Sequence, residues 1–147
     1  MTDYYTLAQI DDLSDSIRER ISVHPKVGII LGSGLGELAD SIESANRIPY
    51  SEIPPWPIST VIGHQGQLVI GNLEGQAVIT MQGRAHYNEG YDMPKIGLPI
   101  RVMQRLGIEY LIVTNAAGGV NPNYVPGVFM LITDHINLMG MSGLTPL

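Results

Sequence analysis

The stretch Val27–Gly36, VGIILGSGLG, determines the fold that we expect for this chain. Its first half, Val27–Leu31, is a continuous apolar run, which is typical of a strand buried on both faces in a parallel sheet. Its second half, Gly32–Gly36, is a glycine-rich turn that leads into a short helical segment predicted over Glu37–Ser41. A buried strand followed by a turn and a helix indicates an α/β protein.

Apolar periodicity on both sides of this stretch extends the pattern. Upstream, Tyr5–Ile21 carries an apolar residue every three or four positions, which predicts an amphipathic helix ended by His24-Pro25. Residues 1–24 are therefore expected to form a helix that leads into the sheet. Downstream, we predict strands over Gln67–Ile70 and Gln76–Met81 joined by a hairpin turn at Asn72–Gly75, a helix over Pro94–Leu106, and strands over Tyr110–Thr114 and Phe129–Ile132.

Two segments between these elements are predicted to be irregular. Pro49–Pro57 is rich in proline, and Gly83–Asp92 is polar and follows a strand. Pro99 lies inside a predicted helix, where it indicates either a kink or a late helix start. The fold that we expect is an α/β fold with a mixed, largely parallel twisted sheet flanked by helices, without internal repeats or a domain boundary.

The composition excludes several classes of protein. Among the 147 residues, 44% are hydrophobic and 15% are charged, which is typical of a folded chain and not of a disordered one. The absence of Cys excludes disulfides, cysteine zinc sites and a thiol nucleophile. A net charge of −6 without a basic stripe argues against nucleic-acid binding. Neither a membrane span nor a signal peptide is predicted, so we expect a soluble, cytoplasmic protein with no membrane partner.

The glycine-rich turn Gly32–Gly36 is the first candidate binding element. Glycines allow backbone N–H groups to surround an anion, and Ser33 adds a hydroxyl donor. The spacing does not match a dinucleotide fingerprint, a P-loop or a hydrolase nucleophile elbow. Taken alone, the segment is equally consistent with a tight strand-to-helix turn.

The segment Gly83–Tyr91 is the second candidate. The planar guanidinium of Arg84 can hold two phosphate oxygens, and in an extended backbone His86 points to the same side. Glu89 could then accept a hydrogen bond from His86 and fix its tautomer. The alternatives are a surface loop with a solvated Arg and, on weaker grounds, a metal bound by His86 and Glu89.

Two further segments add small or polar residues. Thr114–Gly119 follows a predicted strand, and ligands of open α/β sheets bind at such strand ends. His64 lies between glycines in Gly63–Gly66, on a loop that could close over a site. Each segment alone could be a plain turn or a surface loop. If the strand ends meet at one edge of the sheet, they form a site for one phosphate-sized anion.

In this order, the motifs resemble those of the trimeric purine nucleoside phosphorylases. The resemblance runs from about Val27 to the last residue. It is carried by Gly32–Gly36, Gly63–Gly66, Met81–Arg84, His86, Glu89–Tyr91, Thr114–Gly119 and Asp134–Asn137. It implies reversible phosphorolysis of purine ribonucleosides or deoxyribonucleosides to the free base and the sugar 1-phosphate, as in purine salvage. Its implied partners are a purine nucleoside, phosphate as co-substrate and, at full length, two further copies in a homotrimer, with no organic cofactor or metal.

The resemblance also implies a role for individual residues. The phosphate-binding residues that it implies are Ser33, His64, Arg84, Ala85, His86 and Ala116, with His64 as the gate. His86 and Glu89 are the implied catalytic pair, in which Glu89 supports His86. Tyr87 and Asn88 are the candidate ribose contacts. The family usually has Tyr at position 88, and Asn88 can hydrogen-bond but cannot stack. Ala85 also replaces a larger aromatic residue.

Members of that family are roughly twice as long as this chain. We therefore expect residues 1–147 to be the N-terminal portion of a single phosphorylase domain, incomplete at the C-terminus and carrying its phosphate-binding half. In the family, the residues that select the purine lie beyond the position of Leu147. Two alternatives are a non-catalytic phosphate-binding fragment and a relative of the methylthioadenosine phosphorylases. The apolar strands also predict that the fragment by itself self-associates.

Overall fold

A computed structural model of the chain describes residues 4–59 and 65–144. Short 3₁₀ turns accompany the helices and strands, at Gly36–Ser41, Tyr50–Glu52 and Tyr87–Glu89. The helices and strands are α1 (Leu7–Arg18), β1 (Val27–Leu31), β2 (Glu43–Pro49), β3 (Gln67–Leu73), β4 (Gln76–Gln82), α2 (Met93–Arg105), β5 (Tyr110–Val113) and α3 (Leu138–Met141).

The strands form one mixed sheet in the order β2-β3-β4-β1-β5, which confirms the expected α/β class. The strand β1 pairs in parallel with β4 and β5, and β3 pairs antiparallel with β2 and β4. In this register Leu31 lies opposite Gln82, and Ile30 lies opposite Val113. The carboxyl ends of β4, β1 and β5 therefore lie side by side at one edge of the sheet.

Both faces of the central strands are covered, as the apolar run of β1 predicts. On one face, Ile30 packs in a core with Ile10 and Ile17 of α1 and with Leu98 and Val102 of α2. On the other face, alternate residues of β1, β3 and β4 pack against the 3₁₀ turn at Gly36–Ser41. This alternation follows from the two-residue period of a strand.

The hairpin between β3 and β4 is confirmed, and both strands extend beyond their predicted ends. Leu73 pairs with Gln76, which leaves Glu74 and Gly75 as a two-residue turn. Both turn residues have positive φ angles, 49° and 74°, which match the twist of an antiparallel pair.

The first helix is shorter than the predicted Tyr5–Ile21. Thr6 caps its start by accepting a hydrogen bond from the backbone N–H of Gln9 at 3.3 Å. At the other end, the N–H of Arg20 bonds to the carbonyl of Ile17, three residues back, and this tighter turn closes the helix. The helix therefore ends at Arg18, and the prediction that His24-Pro25 ends it was wrong.

The second helix, α2, begins directly after its N-cap residue, Asp92. Asp92 accepts a hydrogen bond from the N–H of Lys95 at 3.1 Å, and Pro94 occupies the first turn. Pro99 is buried inside the helix, six residues beyond its first residue, Met93. The late helix start considered from the sequence is therefore wrong.

Three features of the sheet differ from what the sequence predicts. The edge strand β2 was not predicted, because only one of its residues, Ile48, is buried and the apolar pattern is weak. Phe129–Ile132 forms no strand, since no described strand edge pairs with it, and Phe129 is 91% exposed. The strand β5 exists, but its residues Tyr110–Val113, whose apolar run predicts a buried strand, are all exposed at the edge of the sheet. Among the residues described, no helix has the length and apolar content to cross a bilayer.

Candidate functional site

The carboxyl ends of three parallel strands are joined by direct hydrogen bonds at the residues that follow them. The backbone N–H of Gly32, after β1, donates to Thr114 Oγ1, after β5, at 2.8 Å. Arg84, after β4, donates from Nη1 to the carbonyl oxygen of Thr114 at 3.0 Å. The glycine-rich turn, the Arg84 loop and the end of β5 therefore form one continuous surface, as the sequence predicts.

His86 and Glu89 form the hydrogen-bonded pair predicted from their spacing. Nδ1 of His86 lies 3.0 Å from Oε1 of Glu89, and the backbone N–H of His86 donates to the same oxygen at 2.6 Å. The Glu89 side chain is 8% exposed and the His86 side chain is 34% exposed. A buried carboxylate on Nδ1 fixes the orientation of the imidazole ring.

The loop that contains His86 and Glu89 is also hydrogen-bonded to Ile58 and Ser59. Ser59 donates its hydroxyl to Glu89, at 3.2 Å from Oε2. The hydroxyl of Tyr91 donates to the carbonyl of Ile58 at 2.8 Å and accepts from the N–H of Ile58 at 3.3 Å. The Glu89 carboxylate thus joins two loops, and the Tyr91 hydroxyl bridges the same loops a few residues away.

A layer of buried side chains supports the site from below. Tyr50 is 1% exposed and donates its hydroxyl to the carbonyl of Gly83 at 2.7 Å. Burial raises the pKa of Tyr50 well above its usual range, so the hydroxyl stays a donor. Its ring stacks on Trp56 with centroids 5.6 Å apart. Gln82 donates to the carbonyl of Gly36 at 2.8 Å, which fixes the far end of the glycine-rich turn.

The remaining predicted site residues lie on the loops of this edge. Ser33 is exposed next to Gly32, and Ala85 is buried between Arg84 and His86. Tyr87 and Asn88 are exposed on the 3₁₀ turn, and Ala116 is exposed two residues after Thr114. His64 lies outside the described residues. The contact of each of these residues with phosphate or ribose stays a prediction.

Four residues of the site were given no individual role from the sequence: Tyr50 and Ser59, and also Gln82 and Thr114, which were named only as members of longer motifs. Each contributes a polar side chain to a bond with a residue at least 30 positions away. Only Gln82 and Thr114 carried a local signal, a polar residue at the end of an apolar strand. Arranged in this way, the site can offer a guanidinium, an imidazole, a hydroxyl and backbone N–H groups to a small anion.

The sequence was compared with protein families and with known proteins. Residues 26–147 match the family model described as the phosphorylase superfamily. Purine nucleoside phosphorylase 1 of Geobacillus stearothermophilus is 58% identical over 131 residues, which are 89% of this chain and 48% of the relative. The purine nucleoside phosphorylase of Bos taurus is 49% identical over all 147 residues and 51% of its own length.

A solved structure extends the comparison to three dimensions. Isoform 2 of purine nucleoside phosphorylase from Schistosoma mansoni, in complex with cytosine and ribose-1-phosphate, superimposes with a TM-score of 0.90 at 43% identity. The superposition covers 100% of this chain and 52% of the other. The present chain thus spans about half the length of the curated relatives it matches. Because the family model covers most of the chain, this protein belongs to the phosphorylase superfamily.

Proposed function

We propose that this sequence is the phosphate-binding half of an enzyme that catalyses reversible phosphorolysis of purine nucleosides. One observation carries the proposal: Gly32 and Arg84 both bond to Thr114, which brings the turn with Ser33 and the loop with His86 to one edge of the sheet. Purine nucleoside phosphorylases are also the relatives that match the chain over nearly its full length.

In the proposed reaction, an oxygen of inorganic phosphate attacks the anomeric carbon of the ribose. The C–N bond to the purine breaks, its electron pair leaves with the base, and a proton neutralises the base. The sugar passes through an oxocarbenium-like state, as in other glycosyl transfers. Phosphate is then both the nucleophile and the negative charge that stabilises the sugar cation.

We assign the phosphate contacts to Ser33, Arg84, His86 and the N–H of Ala116. Arg84 supplies two parallel charge-assisted bonds, which fit the oxygens of a phosphate. Glu89 keeps the ring of His86 oriented from its buried position 3.0 Å away. His64 as a gate and Tyr87 and Asn88 as ribose contacts belong to the same proposal, and rest on the family resemblance.

The homotrimer and the independence from metal ions or organic cofactors are also part of this proposal and rest on the resemblance, whereas the cytoplasmic location is proposed from the sequence itself. They predict that activity survives a chelator and that the full-length enzyme sediments as three copies. Loss of activity in EDTA that returns with added metal would contradict the first of these expectations.

A second candidate function applies to the 147-residue chain by itself. The chain spans about half of its relatives' length, and β5 is exposed on both faces. We infer that this piece binds phosphate without turning over a nucleoside. Calorimetry distinguishes the two: phosphate binding without nucleoside binding supports this reading, and nucleoside turnover by the chain alone refutes it.

Phosphate-dependent release of hypoxanthine from inosine tests the proposed function. A full-length chain is obtained by joining residues 1–147 to the remaining half of the G. stearothermophilus relative. Arg84→Ala in that chain should raise the KM for phosphate by about 100-fold, since two charge-assisted bonds are lost. Arg20→Ala is the matched control, because Arg20 pairs with Glu52 on the surface. Release without phosphate, or equal KM values in both variants, would overturn the proposal.

A further inference from the structure

We propose that Thr114 is a positioning residue for the anion site, with its hydroxyl holding the glycine-rich turn in register with Arg84. This inference rests on the proposed function, because it concerns the same site. The function assigns no role to the Thr114 side chain, and the groups proposed to touch phosphate lie on its neighbours. Thr114 therefore acts on phosphate binding through other residues.

The Thr114 hydroxyl makes two bonds that fix its orientation. Oγ1 accepts from the N–H of Gly32 at 2.8 Å and donates to the carbonyl of Ile30 at 2.9 Å. Both partners lie in or just after β1, 82 and 84 positions away in sequence. Gly32 is buried, so its N–H depends on this acceptor. Leaving the buried N–H unpaired would cost free energy of folding.

The backbone of Thr114 makes the third connection. Its carbonyl oxygen accepts from Arg84 Nη1 at 3.0 Å. The same oxygen lies so close to Gly32 that a Cβ at position 32 would be 2.7 Å away from it. Thr114, which itself follows β5, thus contacts the loops after the other two parallel strands, β1 and β4.

This arrangement predicts what the hydroxyl does for phosphate. Ser33 follows Gly32 directly, so the direction of the Gly32 peptide sets where the Ser33 hydroxyl and the next N–H groups point. Replacing the hydroxyl by a methyl group removes the acceptor for Gly32 but leaves the Thr114 carbonyl, and therefore the Arg84 bond, in place. The expected defect is a displaced turn beside a correctly held guanidinium.

Titration of the 147-residue chain with inorganic phosphate tests the inference. Thr114→Val should weaken phosphate binding about tenfold, the effect of one hydrogen bond, and Thr114→Ser should stay within about threefold of the unchanged chain. The matched control is Thr80→Val. The Thr80 hydroxyl on β4 is buried and has no hydrogen-bond partner in the described part of the chain, so phosphate affinity should not change.

Amide hydrogen exchange of Gly32 gives a second measurement that does not depend on phosphate. Exchange should be about tenfold faster in Thr114→Val and unchanged in Thr114→Ser and Thr80→Val. A Thr114→Val chain with wild-type phosphate affinity and exchange would overturn the inference. A Thr114→Val chain that fails to fold while Thr114→Ser folds would also overturn it, because the hydroxyl would then serve the fold as a whole.

The two proposals fail in different ways. An unchanged, folded chain that binds no phosphate would contradict the proposed function. The inference on Thr114 would then be decided by the exchange of the Gly32 amide alone. Equal exchange rates in Thr114→Val and the unchanged chain would refute it, and a faster rate in Thr114→Val would support the hydroxyl as the anchor of the turn.

Discussion

The missing side chain of Gly32 allows the ends of β1 and β5 to meet at the site. A Cβ at Gly32 would lie 2.7 Å from the carbonyl oxygen of Thr114 and 2.9 Å from Cα of Asn115, the two residues that follow β5. Both contacts are with backbone, which cannot rotate away as a side chain can. The glycine is therefore required by the close approach of two segments of the chain and not by its φ angle.

Gly32→Ala should consequently weaken phosphate binding by about tenfold and lower the free energy of unfolding by ~2 kcal/mol, since the two strand ends must separate. Calorimetry and urea unfolding measure the two effects. Gly36→Ala is the control within the same turn, because a Cβ at Gly36 meets nothing within 4 Å. Equal losses in both variants would show that glycine flexibility, and not the close approach, is what matters.

The carboxylate of Glu89 gives a second prediction at the scale of one residue. Glu89→Ala removes the acceptor of the His86 N–H and ring and of the Ser59 hydroxyl, and should lower the free energy of unfolding by ~2–3 kcal/mol. Glu89→Gln keeps one oxygen acceptor and should recover at least half of that loss. Urea unfolding measures both variants. An Ala variant as stable as the unchanged chain would contradict the role of Glu89 as the support of His86.

The hydrogen bonds that were predicted from the sequence and those that were missed differ in the sequence separation of the two bonded residues. The pair of His86 and Glu89 is separated by three positions, so its hydrogen bond could be predicted from spacing. The bond of Thr114 to Gly32 spans 82 positions, and that of Ser59 to Glu89 spans 30. Such bonds depend on which strands are neighbours, and a local pattern does not contain that information.

At the scale of elements, β2 shows why an edge strand is difficult to predict. Its residues Glu43–Pro49 are mostly exposed or half-buried, and its pairing with β3 is interrupted by a bulge between Glu43 and Asn46. Ser44 has a φ angle of 51° within this bulge. Gly71 on β3 accommodates it, since a Cβ there would lie 2.5 Å from the carbonyl of Glu43. The strand is held by its partner and not by an apolar pattern of its own.

The 3₁₀ turn that begins at Tyr50 is joined by one buried phenol to Gly83, the residue after β4, and this predicts a pH dependence. Burial raises the pKa of Tyr50 in the folded chain, whereas in the unfolded chain the phenol titrates near its usual pKa of about 10. Above pH ~10 the unfolded chain loses this proton and the folded chain keeps it. Stability should therefore fall with rising pH by about 1.4 kcal/mol per pH unit from this group.

Tyr50→Phe isolates that contribution. The variant lacks the hydrogen bond to Gly83 and should be ~1 kcal/mol less stable at pH 7. Its stability should fall less steeply than that of the unchanged chain above pH 10, because the buried phenol is gone. Urea unfolding of both chains between pH 7 and 11 measures the difference between their stabilities. The contributions of the other tyrosines are the same in both chains and cancel in this difference. Parallel pH profiles would show that Tyr50 titrates in the folded chain.

At the scale of the whole molecule, coverage of the sheet is uneven. The core between α1, α2 and the central strands is closed, whereas β5 and the segment after it expose large apolar side chains. Ile112 is 49% exposed and Leu131 is 88% exposed. Unpaired strand edges with apolar side chains are sites of association between chains.

The 147-residue chain should therefore self-associate, as its apolar strands predict. Ile112→Lys places a charge on the exposed edge strand and should raise the concentration needed for association by at least about tenfold. Leu38→Lys is the control, because Leu38 is similarly exposed, at 41%, but lies on a 3₁₀ turn. Sedimentation velocity measures the effect. A chain that stays monomeric at high concentration would contradict the prediction.

The amino-acid sequence was enough to predict the α/β class, the bounds of β1, the hairpin, and the pairing of His86 with Glu89. Each depends on residues within one strand, turn or helix, where periodicity and spacing are direct physical constraints. It was not enough to predict the strand order, the edge strand β2, the exposure of β5 or the anchoring of the glycine-rich turn by Thr114. Those features depend on contacts between residues tens of positions apart, which form only when the sheet has assembled.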